Sequence, residues 1–235
     1  MKHLRRAEHA QNFSDRNHAV CAVAAEVRSL FGDLLLAMGR RNTGKRLVLL
    51  CVLGGADGDY AYDWPWRGQR VLVVCRYYDG LMWQASTVDP EWTLVCGELR
   101  DVVPLYDPHK LFDELHRVLN TRPPEAFAAA VEGLRLHLLQ AAGEVGRAWA
   151  SGQGEQVCSL GAAMARQAAL MLALAHRWPC ECAHRLLHSS LLLPNRPPGY
   201  DDLCRAVTTG DDCDPLRVAH ACEMFRRGLE EWLHR

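Results

Sequence analysis

Hydrophobic and polar positions divide the chain into two parts with different periods. Up to Tyr106 short apolar runs alternate with polar breaks, and from His109 onward apolar residues recur every three or four positions. Val20, Val23, Val27, Leu30 and Phe31 share one helical face, with Ser14 placed to cap its start and Gly32 to end it. The apolar runs at 34–38, 47–53, 71–75 and 102–106 have strand length and predict buried strands. Tyr60, Tyr62, Trp64 and Trp66 alternate at period two through Pro65, which predicts an irregular edge strand. Residues 79–95, interrupted at Asp89-Pro90, predict one or two short helices.

In the second part Leu111, Leu115, Val118 and Leu119 predict one helix. Pro123-Pro124 opens a long one reaching about Trp149, with Phe127, Val131, Leu134, Leu138 and Ala142 inward. Gly152-Gln153-Gly154 ends it. Residues 155–177 are apolar nearly all round and predict the central helix of a bundle, stopped by Trp178-Pro179. A further helix is expected over 182–192, and two more begin at Tyr200 and Pro215. The stretch from Leu99 to Phe112 is the hinge: a strand end, Pro104, then Asp107-Pro108 positioned to start a helix. The fold class is therefore α+β. A basic tail (1–13) precedes a mixed sheet domain (14–108), and a helical bundle (109–235) follows.

Charge adds little: 27 Lys and Arg against 28 Asp and Glu set up no global field for nucleic acid or membrane. No apolar run approaches a membrane span, and the basic start lacks a signal-peptide core, so a soluble cytoplasmic protein is expected. The ten cysteines are scattered rather than arranged as a disulfide scaffold. Cys51, Cys75 and Cys96 lie within apolar runs, where a free thiol acts as a small hydrophobe, as in a reducing compartment.

Three constellations carry possible chemistry. The basic segment from Gly39 to Arg46, with Arg40, Arg41, Lys45 and Arg46, reads as a tight loop that contacts a nucleotide or nucleic acid, or as a solvated turn. His176, Cys180, Cys182, His184 and His188 crowd one region. The cysteines lack Cys-x-x-Cys spacing and no second pair completes a zinc knuckle, so no metal is expected. Tyr60, Tyr62, Trp64, Trp66, Tyr77, Tyr78 and Trp83 could stack a ligand, but edge-strand packing is the commoner use. No Gly-x-Ser-x-Gly, Rossmann or Walker pattern occurs, and no Ser-His-Asp or Cys-His arrangement has a supporting context.

Several collinear segments resemble the kanamycin nucleotidyltransferase family, a branch of the polymerase-beta-type nucleotidyltransferases. They are Leu50-Cys51-Val52, Pro104-Leu105-Tyr106-Asp107, the run from Pro198 to Cys204 with Val207 and Gly210, and Gly228-Leu229-Glu230-Glu231-Trp232. The resemblance implies a nucleotidyltransferase-like domain, a helical bundle, and a homodimer with active sites between subunits. It also implies transfer of a nucleoside monophosphate to a hydroxyl. That chemistry uses a Gly-Ser phosphate turn, strand carboxylates that hold Mg²⁺ and a general base from the second domain.

On this sequence the turn glycine matches Gly39, but Arg40 stands at the serine position, and the following loop is several residues shorter than the family's. The carboxylate positions fall on Arg46, Val48 and Val73, and the base and phosphate-binding lysine positions on Gln140 and Glu144. No Asp or Glu occurs between Gly39 and Leu53 or between Gly68 and Tyr78, so a shift in alignment does not restore a metal site. One reading is a nucleotidyltransferase fold without the reaction or a cofactor, acting as a binding or regulatory module. Its ligand would be a nucleic acid or nucleotide held by the basic segment, or a protein met by the aromatic surface. The other is an active transferase on an aminoglycoside or similar hydroxyl, with catalytic groups relocated to Asp57, Asp59 or Asp63.

Overall fold

The structure is a computed structural model, and it describes residues 18–43, 46–55, 58–180, 183–208 and 213–232. Ser14, Lys45, Asp57, Cys182 and Gly210, and the tail 1–13, lie outside the described residues. A first helix, α1 (18–31), ends at Gly32, whose φ of 51° is the left-handed conformation that a helix stop uses. Five strands follow: β1 (Leu35–Thr43), β2 (Arg46–Leu53), β3 (Tyr60–Trp66), β4 (Gln69–Tyr77) and, later, β5 (Val103–Tyr106). The sheet order is β3-β4-β2-β1-β5, with β2 and β4 parallel and the other pairs antiparallel. This is a mixed sheet.

The segment read as a basic loop is mostly strand. Gly39 to Thr43 pair with β2 through Leu50 to Arg46, so β1 and β2 form one long hairpin. The strand propensity of Leu47–Leu53 pulls its polar partner into the ladder. Gly39 has a packing reason to be glycine: a Cβ there would collide with the Val102 side chain and crowd the Val103 carbonyl and Phe112. Between the third and fourth strands Arg67 and Gly68, both at positive φ, make the two-residue turn of a tight hairpin.

The two sheet faces have different partners. Leu47, Leu49, Cys51, Leu53, Val71, Val73 and Cys75 project to one face and are buried with Val20, Val23 and Val27 of α1. Tyr62, Trp64, Trp66 and Tyr77 pack against the same cluster, which is the packing use expected of the aromatic alternation. On the opposite face Val48, Leu50 and Val52 are buried, and α4 (Leu111–Asn120) reaches Gly39 with Phe112. The helix α2 (Tyr78–Ser86) packs on β4 and α4. Asp107 starts α4 as expected, its carboxylate accepting the Leu111 and Phe112 N–H groups at 2.7 and 3.1 Å.

The chain forms two compact units: residues 1–87 with 98–121, and residues 88–97 with 122–235. The helix α3 (Trp92–Arg100) contributes to both. The second unit is built on α5 (Pro124–Ala150), α6 (Gly154–Ala175), α8 (Tyr200–Thr208) and α9 (Pro215–Trp232), with the short α7 (Leu186–Ser190) between. Where a helix over 182–192 was expected, a single turn at Ala183–Arg185 precedes α7, and Pro194, Pro197 and Pro198 follow close behind. Contrary to the sequence expectation, α6 has the length and hydropathy of a membrane span; its residues from Ala168 to Leu174 are all buried within this unit.

Two segments that carry the family resemblance pack against each other here. Gly199, at φ 79°, lies against the backbone of Met224 and Phe225, and Gly228 lies against the Pro198 carbonyl. Arg196 holds Asp201 through two nitrogens at 2.8 and 3.0 Å, and the Trp232 indole donates to the Asn195 carbonyl at 2.6 Å. Tyr200, fully buried, bonds the Ser190 hydroxyl at 2.6 Å. One cysteine pair departs from the free-thiol expectation: Cys158 of α6 is disulfide-bonded to Cys213, just before α9. Cys51 and Cys75 are buried free thiols as expected, while Cys96 is partly exposed.

Candidate functional site

Two of the positions assigned to chemistry, Arg41 and Val48, meet on the sheet face opposite α1. Val48 lies opposite Arg41 across the antiparallel β1–β2 ladder and opposite Leu72 across the parallel β2–β4 ladder. Directly paired residues project to the same face, so Arg41, Val48 and Leu72 stand side by side. Val48 and Arg41 are both buried, 6 % and 8 % exposed. Val73, the third-strand position named from the sequence, points to the other face, into the cluster under α1. Strand alternation turns a one-residue slip into a change of face. The neighbour of Val48 is Leu72.

Further along the same face β4 presents Arg76, the hub of an ion-pair network. Its Nε meets Asp59 at 2.8 Å, one terminal nitrogen meets Glu98 of α3 at 2.5 Å, and the other donates to Gln84 of α2. Asp59 also accepts the Tyr77 N–H at 2.9 Å. The Arg76 and Glu98 side chains are largely buried, at 14 % and 18 % exposure. Burial pushes the Glu98 carboxyl above its ordinary range, against the opposing pull of Arg76 and then Arg41. The face thus joins hydrocarbon at Val48 and Leu72 to guanidinium at Arg41 and Arg76, and Asp59 and Glu98 are both bound to Arg76.

The other sequence candidates lie apart from this cluster. Arg40 pairs with Leu49 and Val103 and so projects to the α1 face. Arg46 opens β2. Asp63 sits on exposed β3 with Arg70 at 3.8 Å. In the second unit Gln140 is exposed on α5 and donates to Glu144, one turn on, at 3.3 Å. Cys180 is buried, with its N–H bonded to the Thr93 carbonyl, while His184 and His188 are exposed. Among the described residues no three His, Cys, Asp or Glu side chains are grouped to hold a metal ion. Sequence reasoning missed Arg76 and Glu98. The signal was a single charge ending the apolar run 71–75 and a lone carboxylate on the apolar helix α3, but nothing local pairs them.

An antiparallel-edged mixed sheet, crossed on one face by α1 and joined to a helical unit, defines a nucleotidyltransferase-like α+β protein. A solved structure described as a nucleotidyltransferase-like protein from Exiguobacterium sibiricum superposes with a TM-score of 0.53 at 10 % identity, over 92 % of this chain and 74 % of that one. Residues 109–235, more than half of the chain, match the KNTase C-terminal domain family, and the chain belongs to that family. Among curated proteins it is similar to the aminoglycoside nucleotidyltransferases (4′) of Staphylococcus aureus and of a Bacillus species. Each is 24 % identical over 94 % of this chain and 91 % of the relative.

Proposed function

We propose that this nucleotidyltransferase-family protein does not transfer nucleotides and works as a binding module. The observation behind this reading is buried Arg41 and Val48 with half-buried Leu72 beside them, continued by Arg76, on the face where the resemblance calls for metal-binding carboxylates. Mg²⁺ takes hard oxygen ligands in near-octahedral geometry. Valine and leucine offer none, and the two guanidiniums repel a divalent cation. Asp59 and Glu98 are nearby oxygens, but both neutralise Arg76, and giving both to a metal ion would leave a largely buried arginine without a counter-charge. The residues present do not fit the metal, so no transfer step runs through one. Gln140, at the base position, has no proton-accepting group in the neutral range.

The named activity of the two curated relatives supports the competing reading, transfer to an aminoglycoside with relocated carboxylates. Asp59 and Asp63 are the described candidates, and both face arginines. Calorimetric titration with a non-hydrolysable nucleoside triphosphate analogue, with and without Mg²⁺, separates the two. Equal affinity in both titrations, or no binding in either, supports the binding module. An Mg²⁺-dependent gain of tenfold or more, about 1.4 kcal/mol, supports the transferase.

A further inference from the structure

The helices α6 and α9 are held together by packing and, in addition, by one covalent bond. Pro215 lies against Gly154 and Val218 against Gly161, where a side chain of any size would collide with Val218. Val218, Ala221, Cys222, Phe225 and Leu229 bury the inward face of α9. The start of α9 is fixed locally as well. The Asp214 carboxylate accepts the Leu216 N–H at 3.0 Å and the Arg217 N–H at 3.4 Å, which is an N-cap. The Cys158–Cys213 bond is thus added to a helix pair that other groups already define.

The two sulfurs of that bond have different surroundings. Cys213 is exposed, whereas Cys158 is half-buried on α6. The free thiols on the helices packed beside them, Cys204 on α8 and Cys222 on α9, are both buried. Burial raises the Cys204 thiol and pushes the Cys222 thiol up to about 12, so neither supplies a thiolate near neutrality. Disulfides exchange when a thiolate attacks a sulfur that it can reach, and exposed bridges are the labile ones. A thiolate from solution can reach Cys213, and Cys204 and Cys222 do not compete with it for the bridge.

We propose that Cys158–Cys213 is a site of reversible thiol exchange, opened and reclosed by a dithiol–disulfide couple in solution while the helical unit stays folded. A thiolate of the dithiol attacks the Cys213 sulfur, forms a mixed disulfide there and expels Cys158 as a thiolate, which takes up a proton. The second thiol of the reagent loses its proton and attacks the reagent's own sulfur in the mixed disulfide. Cys213 leaves and is protonated in turn. Two electrons pass from the dithiol to the protein, the reagent departs as a cyclic disulfide, and the same steps in reverse close the bridge. Opening it frees a stretch with a sequence separation of 55, so the stability of this unit follows the couple around it. The proposal is independent of the binding-module reading.

The test equilibrates the full chain, purified without reductant, in buffers of graded reduced-to-oxidised dithiothreitol ratio. Samples are quenched with acid, alkylated and digested, and the peptides carrying Cys158 and Cys213 are weighed. The expected result is that the two peptides separate together, each gaining one alkyl group. The curve should have the same midpoint whether approached from the reduced or the oxidised side, with far-ultraviolet circular dichroism unchanged along it. The two single variants then show which sulfur is reached: Cys213 in Cys158→Ser should form a mixed disulfide with cystamine several-fold faster than Cys158 does in Cys213→Ser. A bridge that opens only in urea strong enough to unfold the chain would overturn the proposal, because it would then be a fixed staple. So would loss of the helical signal on reduction, failure of the reduced chain to reclose in oxidised dithiothreitol, or a faster reaction at Cys158. None of these outcomes involves nucleotide or Mg²⁺, so the loss-of-catalysis reading is left to its own titration.

Discussion

Arg76 shows how one side chain can redefine a site. It stands on the same face as Val48 and Leu72 and binds Asp59, Glu98 and Gln84 at once. Arg76→Met would leave the mostly buried Glu98 without its partner, and urea denaturation should register a loss of about 3 kcal/mol. Adding Glu98→Gln should recover part of that loss, because the stranded charge is then removed; recovery of nothing would mean the network does not couple these groups. A charge cluster on α9 carries a pH dependence. Glu223 on α9 is held down to about 2 by hydrogen bonds from Arg226 and then Arg227. Its folded-state value lies below its unfolded one, so its contribution is present above the ordinary carboxylate range and fades as pH falls towards 2. The pair is about half exposed, so the effect should stay below about 1 kcal/mol. Denaturation midpoints of Glu223→Gln and wild type should differ near neutrality and converge in acid.

At the scale of elements, the helical unit depends on close backbone approach between the Pro198–Tyr200 corner and α9. A methyl group on Gly228 would press into the Pro198 carbonyl, and Gly228→Ala should destabilise the protein by about 1–3 kcal/mol in thermal or urea melts. A neutral substitution would mean that the corner yields. The element pattern was legible in the sequence because each strand and helix announces itself by local period. Leu47–Leu53 and the stretch from Pro124 to Ala150 are examples. The Gly39–Arg46 stretch was harder to read: its polarity suggests a loop, but an apolar partner strand draws it into the sheet. The candidate site was only half legible. The order of residues along β2 is read directly, whereas seeing that Leu72 and not Val73 stands beside Val48 requires the β2–β4 register, which sequence spacing does not encode. Arg76 and Glu98 lie 22 positions apart, and the fold is what joins them.

For the whole molecule, the disulfide between Cys158 and Cys213 closes a stretch with a sequence separation of 55 and ties α6 to the start of α9. Its reduction should lower stability by about 2–4 kcal/mol, seen as a drop in melting temperature that Cys158→Ser reproduces without reductant. An unchanged melting temperature on verified reduction would show that helix packing alone fixes this unit. The larger claim is that family scaffold and family reaction have separated in this chain. The bundle matches the KNTase C-terminal domain, while Val48 and Leu72 stand side by side on the face to which the proposal assigns the family's carboxylates. The most direct test incubates the full chain with α-labelled nucleoside triphosphates, Mg²⁺ or Mn²⁺, and a panel of aminoglycosides, and follows label transferred to the sugar. The account predicts no product above the protein-free blank. Product that scales with protein concentration and disappears in Asp59→Asn or Asp63→Asn would contradict it.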